Sequence, residues 1–67
     1  MYLYKGYIIY TESLGNFRTF NFNFSYPTKL EKNKIARHVE SAYGVDLGNV
    51  SEDNVFIESE ENIPFLR

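Results

Sequence analysis

From Phe20 to Tyr26 the chain reads Phe-Asn-Phe-Asn-Phe-Ser-Tyr, an unbroken alternation of aromatic and small polar residues. Successive side chains on a strand point to opposite faces, so this segment forms a strand with one aromatic and one hydrophilic face. Pro27 ends the run at once and Thr28 opens the next element. A fold for this chain must therefore cover a row of aromatic rings on one side of a sheet. That requirement fixes much of the architecture and names no chemistry.

The strand before it, residues 2–11, carries apolar residues on both faces. Between the two, Ser13-Leu14-Gly15-Asn16 is a turn signal, so residues 2–26 form a hairpin. If Gly15-Asn16 is a tight two-residue loop with positive φ at its first position, Leu14 pairs with Phe17. Thr11 then lies opposite Phe20, Ile9 opposite Phe22 and Tyr7 opposite Phe24. A four-residue loop keeps this parity; a three- or five-residue loop reverses it.

A helix is expected over residues 29–43. Thr28 and Glu31 have the spacing of a capping box, and Ile35, Ala36, Val39, Ala42 and Tyr43 form one apolar stripe. Gly44 supplies a left-handed position after Tyr43, with Val45 as the apolar contact beyond it. Asp46 to Asp53 reads as a polar connection. Asn54 to Ser59 alternates again, with Val55 and Ile57 on one face and Phe56 on the other, giving a third strand at residues 54–59. Residues 60–67 are left as a C-terminal tail, in which Ile63 to Leu66 could dock. The expected fold is α+β: a single small β-β-α-β domain, residues 1–67, whose three-stranded sheet has one helix packed on one face. Crossover handedness puts the third strand parallel to the second, most simply beside the first.

At 67 residues such a domain has little core, and chains this short commonly rely on a staple. Cys is absent, which excludes disulfides and thiolate metal sites. Homodimerisation or a tight protein partner is the remaining route to stability. Met1 to Thr11 lacks the basic start and continuous apolar core of a signal peptide, and no stretch reaches membrane-spanning length. A cytoplasmic location with no membrane association is expected. Abundant Asn, Lys, Ile, Tyr and Phe fit an AT-rich coding genome and hint at a phage or other mobile element.

No catalytic constellation emerges. The single histidine, His38, sits at the edge of the helical stripe, and Glu40 two residues on does not share its face. His38-Val39-Glu40 lacks the second histidine of a zinc-protease motif, and the four glycines form no phosphate loop. The acidic residues Glu52, Asp53, Glu58, Glu60 and Glu61 lack the spacing of a calcium loop and read as an edge strand protected by charge. The expectation is a protein that is not an enzyme, with no cofactor and no metal.

Charge is unevenly distributed. Residues 1–43 have a net charge of +3 and residues 44–67 of −5. Internal complementarity between helix and third strand accounts for this; an acidic face mimicking nucleic-acid phosphates is the functional alternative. A single-stranded nucleic-acid binder is another. Arg18-Thr19-Phe20-Asn21-Phe22 matches the basic residue and two aromatics of an RRM core strand but lacks both glycines, and the pI of about 5.2 argues against phosphate binding. The favoured reading is a small protein-binding module, an inhibitor, adaptor or regulatory subunit. With the tight turn, Leu3, Tyr7 and Ile9 lie beneath the helix. Tyr2, Tyr4, Ile8, Tyr10 and Phe56 then form an exposed aromatic surface for a protein partner or a second copy of the chain, with Gly6 leaving room for close approach.

Overall fold

The computed structural model describes residues 1–64. Strands β1 (Tyr2–Thr11) and β2 (Phe17–Tyr26) are followed by helix α1 (Lys32–Tyr43), a 3-10 turn over Glu52–Asn54 and strand β3 (Val55–Asn62). The sheet order is β2-β1-β3, with both pairings antiparallel. β3 therefore points the same way as β2 on the far side of β1, as a crossover connection requires. The chain is an α+β domain with an open three-stranded sheet. The third strand runs to Asn62, three residues beyond its expected end, and Met1 and Ile63 extend the pairing with bonds of 2.7 and 3.1 Å. Leu66, the far end of the expected docking tail, lies outside the described residues.

The hairpin turn decides which side of β1 is buried. Glu12 N–H donates to the Asn16 carbonyl and Gly15 N–H to the Glu12 carbonyl, each at 2.9 Å. Glu12 and Asn16 thus close a three-residue loop, Ser13-Leu14-Gly15, in which Gly15 takes the left-handed position at φ 86°. This corrects the two-residue turn expected from the sequence, and the odd-numbered loop reverses the parity. Tyr2 pairs with Tyr26, Tyr4 with Phe24, Gly6 with Phe22 and Ile8 with Phe20. The even-numbered residues of β1 therefore share the helix side with the aromatic row of β2. Leu3, Lys5, Tyr7, Ile9 and Thr11 face the other way.

Beneath α1, Tyr4, Ile8, Phe22, Ile35, Ala36, Val39, Leu47 and Val55 form the buried core, with Phe20, Phe24, Tyr26 and Ile57 packed around it. Buried apolar side chains of this size contribute roughly 1.5–3 kcal/mol each. Gly6 lies at the centre of this face for a steric reason. A Cβ there would overlap the Phe56 carbonyl oxygen and stand 3.0 Å from Phe22 Cζ. Beside it β3 has a bulge: Lys5 pairs with Ser59 and Gly6 with Ile57, leaving Glu58 as the extra residue. The space that Gly6 leaves is filled by the chain's own backbone and by Phe22, not by a partner.

Helix α1 begins at Lys32, three residues later than the Thr28 capping box implies. Glu31 is the N-cap, with an extended backbone and no side-chain cap. The reason lies in β1. Leu30 N–H donates to the buried Tyr4 hydroxyl at 2.7 Å, which satisfies that amide ahead of the first helical turn. The C-terminus follows the sequence. Gly44 is left-handed, and the amides of Gly44 and Val45 both donate to the Glu40 carbonyl at 2.9 and 3.1 Å. Ala42 is exposed, so the buried stripe is narrower than expected. Leu47, in the segment read as polar, is buried instead; its amide donates to Glu40 Oε2 at 2.9 Å.

Candidate protein-binding surface

Among the described residues, no element covers the other side of the sheet. From β1 it presents Leu3, Lys5, Tyr7, Ile9 and Thr11, from β2 Phe17, Thr19, Asn21, Asn23 and Ser25, and from β3 Phe56, Ser59 and Glu61, by the registers of the two pairings. Tyr7 and Phe56 are cross-strand partners and stack with ring centroids 4.9 Å apart and planes 19° from parallel. Leu3, Ile9 and Phe17 extend this pair along the hairpin. Phe56 is 36% exposed, Leu3 37% and Phe17 77%. The surrounding residues are small or polar, with Lys5 and Glu61 as the charges. The face thus has an aromatic centre and a small, polar rim.

The residues proposed for this role from sequence separate into two groups. Phe56 lies on the open face as expected. Tyr4 and Ile8 are fully buried beneath the helix, and Tyr2 and Tyr10 pack against the same core. All four are corrected from outward to inward by the three-residue turn. In their place stand Leu3, Tyr7 and Ile9, together with Phe17, which the sequence reading did not single out. One signal could have located them. The even-numbered set of β1, Tyr2 to Tyr10, has no charged residue, whereas the odd-numbered set includes Lys5 and ends on the polar Thr11.

Elsewhere the side chains with reactive potential are engaged in packing or are dispersed. The His38 ring centroid lies 4.5 Å from that of Phe24 and 4.9 Å from that of Tyr26, so the imidazole is part of the aromatic layer. Among the described residues no group of three or more His, Cys, Asp or Glu is placed to hold a metal ion. Lys29 Nζ lies 3.8 Å from Glu60 Oε2, joining the segment before the helix to β3 in an exposed pair of little energetic weight. Phe20 and Phe22, the aromatics of the RRM-like pentapeptide, lie on the helix side of the sheet, Phe22 buried in the core and Phe20 partly buried against it, with Tyr43 edge-on to the Phe20 ring. Among the described residues no helix is long and apolar enough to cross a membrane. No known protein family, curated protein or solved structure matches this chain.

Proposed function

We propose that the protein is a non-enzymatic binding module that docks a protein partner on its uncovered sheet face, acting as an inhibitor, adaptor or regulatory subunit of the kind mobile elements encode. The observation that supports this most strongly is the Tyr7–Phe56 stack, open to solvent and continued by Leu3, Ile9 and Phe17. A domain this small has few apolar side chains to spare from its core, and five of them line one free face. Stacked aromatics at the centre of a contact are the residue types that dominate binding energy. Because Tyr7 and Phe56 stack on each other, they suit an apolar protein surface better than a run of bases. The acidic residues of β3 fit protection of an exposed edge better than mimicry of a phosphate backbone.

The test is site-specific photo-cross-linking in the native host. A cross-linking residue in place of Ile9 should give a discrete protein adduct, and one in place of Ser41, on the exposed side of α1, should not. Adding Tyr7→Ser and Phe56→Ser should abolish the Ile9 adduct and weaken binding of the captured partner by at least ~2 kcal/mol without unfolding the domain. Equal adducts from both positions, or an adduct unaffected by the double substitution, would refute the proposal.

A further inference from the structure

The two free edges of the sheet are protected to different degrees. β3 has Glu58, Glu60 and Glu61 along its length, and like charges of this density discourage a second strand from pairing. β2 has no charged residue from Thr19 to Tyr26. Its residues with backbone groups directed away from β1 are Phe17, Thr19, Asn21, Asn23 and Ser25, because Asn16 and its even-numbered successors bond to β1. One of these is occupied. The Tyr43 hydroxyl accepts from Asn23 N–H and donates to the Asn23 carbonyl, both at 3.0 Å, and so fills the hydrogen-bonding positions of a missing neighbour strand. The longest open stretch of the edge among the described residues therefore runs from Phe17 to Asn21, between the turn and the Tyr43 latch, with Ser25 alone beyond it.

Among the described residues, nothing covers this window. β3 pairs with β1 no further along the hairpin than Ile8, so the hairpin beyond Ile9 projects past the rest of the sheet. The radius of gyration is 12.6 Å and the longest extent 48 Å, against about 11 Å for the radius of a compact chain of this length. At the end of the arm Leu14 is 86% exposed.

We propose that residues 17–21 of β2 pair with the same residues of a second copy, antiparallel about a twofold axis at Thr19, to give a six-stranded sheet across the dimer. This window suits itself. Antiparallel self-pairing centred on Thr19 uses the open backbone groups of Phe17, Thr19 and Asn21 and stops where Tyr43 begins. It sets Thr19 opposite Thr19, a favourable cross-strand pair, and Phe17 opposite Asn21 on the outer face. On the helix side it sets Arg18 opposite Phe20, a cation over an aromatic ring. Arg18 is already neutralised within its own chain, its Nε 2.9 Å from Glu12 Oε2, so the two copies approach without facing unpaired charges. The same arrangement brings each exposed turn alongside the other copy's Asn23 and Tyr43.

The proposal does not rest on the outer face as a docking surface, and charge exchange at Thr19 separates the two. In sedimentation equilibrium the unmodified protein should self-associate reversibly. Thr19→Lys and Thr19→Glu should each weaken association at least about tenfold, because like charges would stand directly opposite. Both variants should keep their fold, since Thr19 is exposed and its backbone is free. An equimolar mixture of the two should recover dimers. The Tyr7→Ser/Phe56→Ser variant should associate as the unmodified protein does. A protein that stays monomeric up to ~1 mM overturns the proposal. So do charged variants that associate normally, a mixture that fails to recover, and an association lost only on the outer-face substitutions.

Discussion

Replacing Gly6 by Ala tests the packing logic of the whole sheet with a single methyl group. An ideal Cβ at this position overlaps the Phe56 carbonyl oxygen and lies 3.0 Å from Phe22 Cζ. The carbonyl is backbone within the β1–β3 ladder, so it cannot rotate aside as a side chain would. Relief requires β3 to move away at the bulge and the Phe22 ring to shift within a core where it is 2% exposed. Losing two or three ladder bonds at about 1 kcal/mol each, with overpacking of about 1–3 kcal/mol, gives a destabilisation of roughly 3–6 kcal/mol. At 4–8 °C per kcal/mol for a domain of this size, the melting temperature should fall by at least about 12 °C. Gly48→Ala is the control. Gly48 has φ 70° but nothing within 4 Å of its Cβ position, so only backbone strain of about 1 kcal/mol is expected. Thermal unfolding followed by far-UV circular dichroism reads both. A Gly6→Ala variant as stable as Gly48→Ala would refute the close approach of β3 and Phe22 at this point.

Tyr4→Phe removes only the hydroxyl that accepts from Leu30 N–H, and should cost about 1–2 kcal/mol in urea unfolding while leaving outer-face binding unchanged. No loss of stability would show that this amide is satisfied some other way. Tyr43→Phe removes the latch on the β2 edge, so amide exchange at Asn23 should accelerate markedly while exchange at Phe22, bonded within the sheet, stays slow. Unchanged protection at Asn23 would mean that the latch is not formed in solution.

The parts of this fold legible in the sequence are those set by local chemistry. The Phe20–Tyr26 alternation, the Gly44 stop and the Val55–Ile57 facing each depend on one residue's conformational preference or on strand periodicity, and each appears as expected. The facing of β1 depended on a choice between loops that Gly15 satisfies equally well. It supplies positive φ either as the first residue of a two-residue loop or as the last of a three-residue one. Since β1 is apolar on both sides, its pattern did not overrule the turn, and Tyr4 and Ile8 were exchanged for Tyr7 and Ile9 in the candidate site. The helix starts later than its sequence implies for a different reason. Thr28 and Glu31 have the spacing of a cap, but a tertiary bond from Leu30 to Tyr4 competes with it, and local sequence contains no trace of that contact. Leu47 is not legible as a core residue because a lone apolar residue in a polar segment has no periodicity to mark it.

The most direct test of the central claim, that β1 buries its even-numbered side and offers its odd-numbered side to a partner, compares Ile8→Ser with Ile9→Ser in urea unfolding. Ile8 is fully buried between Phe20 and Val55, and serine there leaves a cavity and a hydroxyl without water. Ile8→Ser should lose at least about 3 kcal/mol and unfold much of the population. Ile9 is half-buried on the face that none of the described residues covers, so Ile9→Ser should lose no more than about 1 kcal/mol and remain cooperative. The reverse ranking would contradict the account, returning Tyr4 and Ile8 to the surface and removing Tyr7 and Ile9 from it.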